Sequence, residues 1–169
     1  MISIRPETVQ TPRLTLLPLA VGHAEEMAGV LAEPALYDVI GGAPPTPEGL
    51  RERYERLVAG SPDPAVTWCN WVVRLRETDR LTGTVQATVH DSGTAEIAWI
   101  VGTPWQGRGI ATEAARGLVG WLAAQGVRTV VAHIHPDHAA SAAVATAAGL
   151  APTDEWQDGE VRWRRPAAP

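Results

Sequence analysis

The stretch Thr103–Gly117, TPWQGRGIATEAARG, sets Gly107 and Gly109 directly ahead of an alanine-rich run that reads as a helix. Glycine is poor inside helices, and its use is to let backbone come close to something else. A Gly-rich turn entering a helix exposes the unpaired N–H groups of the first turn, and the helix dipole adds partial positive charge. Without Cβ atoms at Gly107 and Gly109 an anion can reach those amides. The stretch therefore predicts a cradle for a phosphate or pyrophosphate, with a tight turn that uses glycine only for backbone reasons as the alternative. Two familiar phosphate loops do not apply. The dinucleotide fingerprint needs three glycines after the first strand of a βαβ unit, and the P-loop needs a lysine, of which this sequence has none.

A second chemical feature is Glu96. Alternation along AEIAWIV places Glu96, Ala98 and Ile100 on one strand face and Ile97, Trp99 and Val101 on the other. Small Ala98 leaves room beside Glu96 for a reacting molecule, which makes this carboxylate a candidate base. The alternative is a partly exposed strand carboxylate with a structural partner. In HIHPDH, His133 and His135 share a strand face, but no Cys or further well-spaced carboxylate completes a ligand set, so no metal is expected. Cys69, between Trp68 and Trp71, reads as a buried structural thiol. Trp68, Trp71, Trp99 and Trp105 read mostly as core or strand-face residues.

The elements that must position these residues follow from the pattern. TPRLTLLPLA alternates as a first strand; 23–31 and 47–59 read as helices, the second with Thr46 as N-cap and Pro47 at its first position. Between them YDVIGGAPPTP reads as a Gly/Pro loop without regular structure. AVTWCNWVVRL, RLTGTVQATVH and TAEIAWIV form an antiparallel meander. The helix after the glycine loop carries Ala111, Ala115, Leu118 and Leu122 as one stripe and is capped by Gly126. VRTVVAHIH is a central strand. DHAASAAVATAAG is a helix with Asp137 as N-cap and Gly149 as stop, and a strand pair around Glu155 and EVRWRRP follows. The 169 residues predict one mixed α/β domain over 1–169. The formal charge of −5 argues against nonspecific nucleic-acid binding. No apolar run reaches the roughly 20 residues of a membrane helix, and the N-terminal segment lacks a secretion signal's apolar core. With one cysteine, these features predict a soluble cytoplasmic protein.

The residues Gln106-Gly107-Arg108-Gly109-Ile110-Ala111 resemble the Gln/Arg-x-x-Gly-x-Gly/Ala signature of the GNAT N-acetyltransferase superfamily. AEIAWIV upstream strengthens the resemblance. So does HPDHAASAAVATAAGL downstream, which is similar to the family's N-x-x-S…GF helix with Ser141 and Gly149-Leu150 in matching places. TPRLTLLPL and AEIAWIVGTPWQGRGIATEA look most like the Rim-type branch, which includes enzymes that acetylate protein N-termini. The resemblance covers about Arg13 to Arg165. It implies the GNAT fold, a mixed sheet whose strands splay at a cofactor cleft, with acetyl-CoA as donor. The implied cofactor contacts are the backbone of Trp99, Ile100 and Val101, the loop Gln106, Gly107, Arg108, Gly109, Ile110 and Ala111, then Thr112, His138 and Ser141. Ser141 would sit near the thioester. His138 stands where the family usually has Asn. Ala145 stands where many relatives carry a Tyr that acts as general acid, leaving Ser141 or a water for that role. Tyr37 and Asp38, in the loop where relatives vary most, and Trp71 are candidate acceptor contacts.

Acyl transfer to an amine needs the neutral amine, so Glu96, directly or through water, would remove a proton. Strand N–H groups near Ile100 or Val101 can serve the developing oxyanion. The expected acceptor is a primary amine, on a protein N-terminus or a small molecule, and the expected assembly a monomer or homodimer. Two rival readings stand beside this one. A CoA-binding regulatory or interaction module without turnover is suggested by Ala145, and a nucleotide-phosphate binder would use the same loop.

Overall fold

The computed structural model describes residues 4–166. Its strands form one eight-stranded sheet in the order β1-β2-β3-β4-β5-β6-β8-β7. The strands are β1 (Val9–Gln10), β2 (Leu14–Pro18), β3 (Val66–Leu75), β4 (Arg80–His90), β5 (Thr94–Val101), β6 (Thr129–Ile134), β7 (Ala151–Gln157) and β8 (Glu160–Pro166). The helices are α1 (Ala24–Val30), α2 (Tyr37–Ile40), α3 (Pro47–Ala59), α4 (Ile110–Ala124) and α5 (Ala139–Ala147). The β3–β4–β5 meander is antiparallel as the alternation predicts, and β6 lies between β5 and β8. Only β5 and β6 run parallel, and the connection that makes this possible is α4 with its preceding loop.

Each sheet face buries a separate apolar cluster. On one face α4 inserts Ile110, Ala114, Ala115, Leu118 and Leu122 against Leu16, Val73, Val85 and Ile97, with Val144 and Ala145 of α5 beside them. On the other, Met27 and Val30 of α1 and Leu50 and Tyr54 of α3 cover Val72 and Leu81. Leu50, Tyr54 and Leu57 recur at the spacing of a helix face, so α3 can lie flat on the sheet. Trp99 packs with the α4 cluster and Ile100 with the α1/α3 cluster, as strand alternation demands.

Three local expectations need correction. Residues 37–40 form a short helix rather than irregular loop, entered through a 3₁₀ turn at Pro34–Leu36 whose N-cap, Glu33, accepts from the Ala35 amide. The N-cap of α5 is His138, not Asp137. The Asp137 amide instead donates to the His135 ring, so the chain turns one residue later. Strand β1 has two residues, too few to show a period. By contrast Thr46 caps α3 as expected, its hydroxyl accepting from Gly49 N–H at 3.0 Å.

Candidate active site

The turn before α4 has the form its glycines predict. Gly107 and Gly109 have φ of +74° and +77°, values that side chains with a Cβ rarely adopt. Gly109 is the N-cap of α4, and the first helical bond runs from Glu113 N–H to Gly109 carbonyl at 3.0 Å. The amides of Ile110, Ala111 and Thr112 precede that bond and so have no acceptor within the helix. The turn is braced from behind. Glu113 accepts from the Thr11 hydroxyl at 2.5 Å, from Arg13 N–H at 2.8 Å and from Arg13 Nε at 2.7 Å. Arg13 Nη1 in turn donates to the Arg108 carbonyl at 2.9 Å. Partial burial pushes the Glu113 pKa up, but these hydrogen bonds and the Arg13 charge outweigh it and hold the carboxyl below its usual range.

Beside this turn lies a cavity of about 470 Å³. Its lining includes Trp99, Ile100, Val101, Gln106, Gly107, Gly109, Ile110, Ala111, Thr112, His138 and Ser141. Arg108 does not border it; its side chain is exposed and its carbonyl is taken by Arg13. The Gln106 side-chain amide donates to the Val101 carbonyl at 3.0 Å, tying the loop to the end of β5.

The cavity exists because β5 and β6 diverge. Their pairing runs Thr94↔Thr129, Ala95↔Val130 and Glu96↔Val131, then stops. From Ile97 onward β5 keeps only β4, and from Ala132 onward β6 keeps only β8. Past the fork β5 has no strand partner on its β6 side at Trp99–Val101, where the Val101 carbonyl is taken by Gln106 and the remaining backbone can pair with an extended ligand. Glu96 sits at the fork. Its Oε1 lies 2.8 Å from His133 Nδ1, and since a carboxylate only accepts, Nδ1 carries the proton. His133 is nearly buried, and its Nε2 has no hydrogen-bond partner among the described residues.

Glu96 and Ser141, far apart in sequence, line the same small cavity of about 240 Å³ in this fork, with His133, His138 and Glu160. Ser141 Oγ is 3.3 Å from His138 Nε2. Burial and the neighbouring His135 depress the His138 pKa, while Glu160 pulls it up. A neutral His138 can accept from the serine hydroxyl. Ala145 is fully buried in the core, so position 145 does not face the cleft. Among the described residues no group of three or more His, Cys, Asp or Glu is placed to hold a metal, and His135 lies past the end of β6. Cys69 is buried, which pushes its thiol to about 11 and keeps it unreactive.

A third cavity, about 480 Å³, opens on the α1/α3 face and shares Trp99 and Ile100 with the first and Ala98 and Trp99 with the fork. Tyr37 lines it, its hydroxyl donating to the Leu31 carbonyl at 2.8 Å. Asp38 is exposed and outside the lining. Trp71 also borders this cavity, with its ring turned away from it. It is fully buried, edge-on to Trp121 with ring centroids 5.1 Å apart, and its Nε1 donates to the Glu7 carbonyl. The ring therefore belongs to the α4 side. The sequence reading missed His133 as partner of Glu96, and missed Arg53, Tyr54, Asn70 and Gln86 in the third cavity. The helical spacing of Arg53 and Tyr54 with Leu50 and Leu57, and the strand parity of Asn70, were the available signals.

Residues 13–151 match the profile of the acetyltransferase (GNAT) domain, and the chain belongs to that family. It is an N-acetyltransferase by that membership. No curated protein sequence matches it. Among solved structures it is similar to a GNAT-family acetyltransferase from Bacillus anthracis, at 17% identity and TM-score 0.79 over 95% of this chain and 99% of that one. It is similar to RimL, a ribosomal L7/L12 α-N-protein acetyltransferase in complex with coenzyme A, at 17% identity and TM-score 0.79 over 95% and 98%. AAC(6')-Ib, in complex with paromomycin and acetyl-CoA, aligns at 20% identity and TM-score 0.75 over 91% and 93%. These likenesses concern the fold.

Proposed function

We propose that the protein, acting as one domain, transfers an acetyl group from acetyl-CoA directly to a primary amine. The observation that carries this reading is the meeting of three cavities at Trp99, with Glu96 and Ser141 lining the one at the fork. The residues present fit the donor. The positive-φ glycines and the free first-turn amides of Ile110, Ala111 and Thr112 suit a pyrophosphate, and the edge of Trp99–Val101, which no strand covers, suits an extended arm with its own amides. Bound there, acetyl-CoA supplies the activated acetyl group.

Glu96 then accepts the proton of the incoming ammonium. His133 holds one carboxylate oxygen, which fixes the side chain's orientation and leaves the other for the amine or a water. The departing sulfur takes up the second proton that the nitrogen loses on becoming an amide, relayed through the Ser141 hydroxyl beside His138, which gives up one proton as it receives the other, since position 145 faces the core. The nature of the amine separates two kinds of enzyme, one acting on a protein N-terminus and one on a small molecule. Buried Cys69 as the single cysteine supports a reducing compartment such as the cytoplasm. The rival reading, a CoA-binding module without turnover, is favoured by the buried Ala145. Measuring thiol release from acetyl-CoA against a panel of amines tests both. Release with any amine supports transfer, and tight CoA binding without release from any of them supports the module.

A further inference from the structure

The cavity on the α1/α3 face has a charge pattern that selects its occupant. Its walls are apolar, with Leu19, Leu31, Leu50 and Leu57 among them. Its floor is the sheet, where Asn70 of β3 and Gln86 of β4 are direct cross-strand partners and Ala98 of β5 is the next residue along that row. Two carboxamides side by side thus lead to Ala98, two residues from Glu96 on the same strand face. At the α3 side stands Arg53, the one charged residue among the described lining residues. No carboxylate pairs with it among the described residues. It lines the cavity together with Tyr37 and Tyr54, and its charge opposes the rise that burial gives each phenol. Tyr54 is almost fully buried, and its Oη has no hydrogen-bond partner among the described residues.

A polyamine or an aminoglycoside would bring, beyond the one amine that meets Glu96, further ammonium groups into a cavity whose described lining offers a guanidinium and no anion. Like charge set against like disfavours such a ligand, and each further ammonium would lack a counter-charge. A carboxylate finds the reverse. Arg53 offers a planar fork of donors, and the carboxamides of Asn70 and Gln86 add neutral ones. The leucine walls take an apolar body of small-molecule size.

On the reading that this is an acetyltransferase, we propose that its acceptor is a primary amine with a compact apolar body and one carboxylate, of which an apolar α-amino acid is the simplest member. Arg53 binds the carboxylate, Leu19, Leu31 and the α3 leucines Leu50 and Leu57 hold the side chain, and the amine lies over Ala98 within reach of Glu96.

The test has a turnover arm and a binding arm. In the first, L-leucine, L-leucinamide, spermidine and paromomycin are compared by kcat/KM for thiol release, with wild type and Arg53→Gln. Leucinamide keeps the amine and side chain but lacks the anion, and so also stands for a chain N-terminus. Taking the leucine-to-leucinamide ratio in each protein and then comparing proteins cancels the different basicities of the two amines. The ratio should fall about tenfold in Arg53→Gln, the lower end for a charge-assisted hydrogen bond because Arg53 is exposed. In the second arm, binding of N-acetyl-L-leucine and N-acetyl-L-leucinamide is measured by calorimetry with CoA present, which needs no catalysis. The acid should bind more tightly than the amide in wild type, and Arg53→Gln should remove that preference. Efficient turnover of spermidine or paromomycin with leucine inert overturns the substrate class and leaves acetyl transfer standing. Arg53-dependent binding of N-acetyl-L-leucine with no thiol release from any amine supports the anion site and removes the transfer reading. A leucine-to-leucinamide ratio unmoved by Arg53→Gln, or no binding of N-acetyl-L-leucine at millimolar concentration, overturns the proposal.

Discussion

Replacing Glu96 with Gln separates proton acceptance from shape. In the fork the glutamine carbonyl can take the His133 Nδ1–H that the carboxylate now accepts at 2.8 Å, so orientation is retained. The other end then presents an NH₂ donor where a base is needed. The size of the loss follows from the amine. At pH 7 a lysine-like amine of pKa about 10.4 is neutral in about one molecule in 2,500. A chain α-amine of pKa about 7.7–8.0 is neutral in about one in ten. A base that does no more than remove this proton is worth about 10³ for the first and about tenfold for the second, within or just below the usual 10²–10⁴ for general-base loss. A free amino acid, whose own carboxylate holds the ammonium more tightly, falls between. The assay is kcat/KM for thiol release by both proteins from about pH 6 to about pH 10, spanning these amine pKa values. The wild-type to mutant ratio should shrink as pH rises through the acceptor's pKa, with CoA affinity unchanged. A ratio flat across pH, or a loss that resides in CoA affinity, would show that Glu96 is structural.

Gly109→Val forces a branched side chain into φ +77° and sets its Cβ 3.4 Å from Arg13 Nη2. CoA affinity by calorimetry should fall at least about tenfold and stability by about 1–2 kcal/mol, whereas wild-type affinity in a folded variant would place the pyrophosphate elsewhere. Glu113→Gln should destabilise by about 1 kcal/mol at neutral pH, modest because Arg13 is half exposed. The folded Glu113 pKa is depressed, so its contribution is full above the unfolded value of about 4.3 and is lost as pH falls through the folded one. Denaturation midpoints of mutant and wild type should therefore converge in acid, and a constant gap would contradict the ion pair. Tyr54→Phe removes a buried hydroxyl without a partner, so stability should hold or rise by about 1 kcal/mol in urea denaturation. A loss of 2 kcal/mol or more would reveal a bond to that oxygen, within the range for an orphaned partner.

How much of this was legible in the sequence varied with the range of the interaction. The glycine turn and α4 are local. Gly107, Gly109 and the apolar stripe specify a positive-φ turn and an amphipathic helix within a few residues, so the turn and the helix could be read directly. Strand parity put Glu96 and Trp99 on opposite faces, and Thr46-Pro47 marked the start of α3. What the sequence hid is long-range pairing. His133 meets Glu96 only because β5 and β6 are parallel neighbours, a fact that depends on the α4 crossover. Period alone cannot tell that from a shared metal-binding face with His135. Trp71 could not be sorted between pocket and core, because parity fixes its face and not what covers that face. Here Trp121 of α4 does. The short helix at 37–40 was masked by the glycines that follow it, since a single turn has no period to detect.

The central claim is direct acetyl transfer at the fork between β5 and β6. It is tested most directly by following acetyl-CoA, an amine acceptor and the protein in one reaction, with thiol release measured by absorbance and acetylated species by mass spectrometry. Direct transfer predicts CoA and N-acetylated amine in equal amounts, an unmodified protein mass throughout, and a strongly reduced rate for Glu96→Gln at neutral pH. An acetylated protein that forms and decays with turnover would contradict direct transfer. Thiol release without acetylated amine would contradict the fork as the place where the amine is bound.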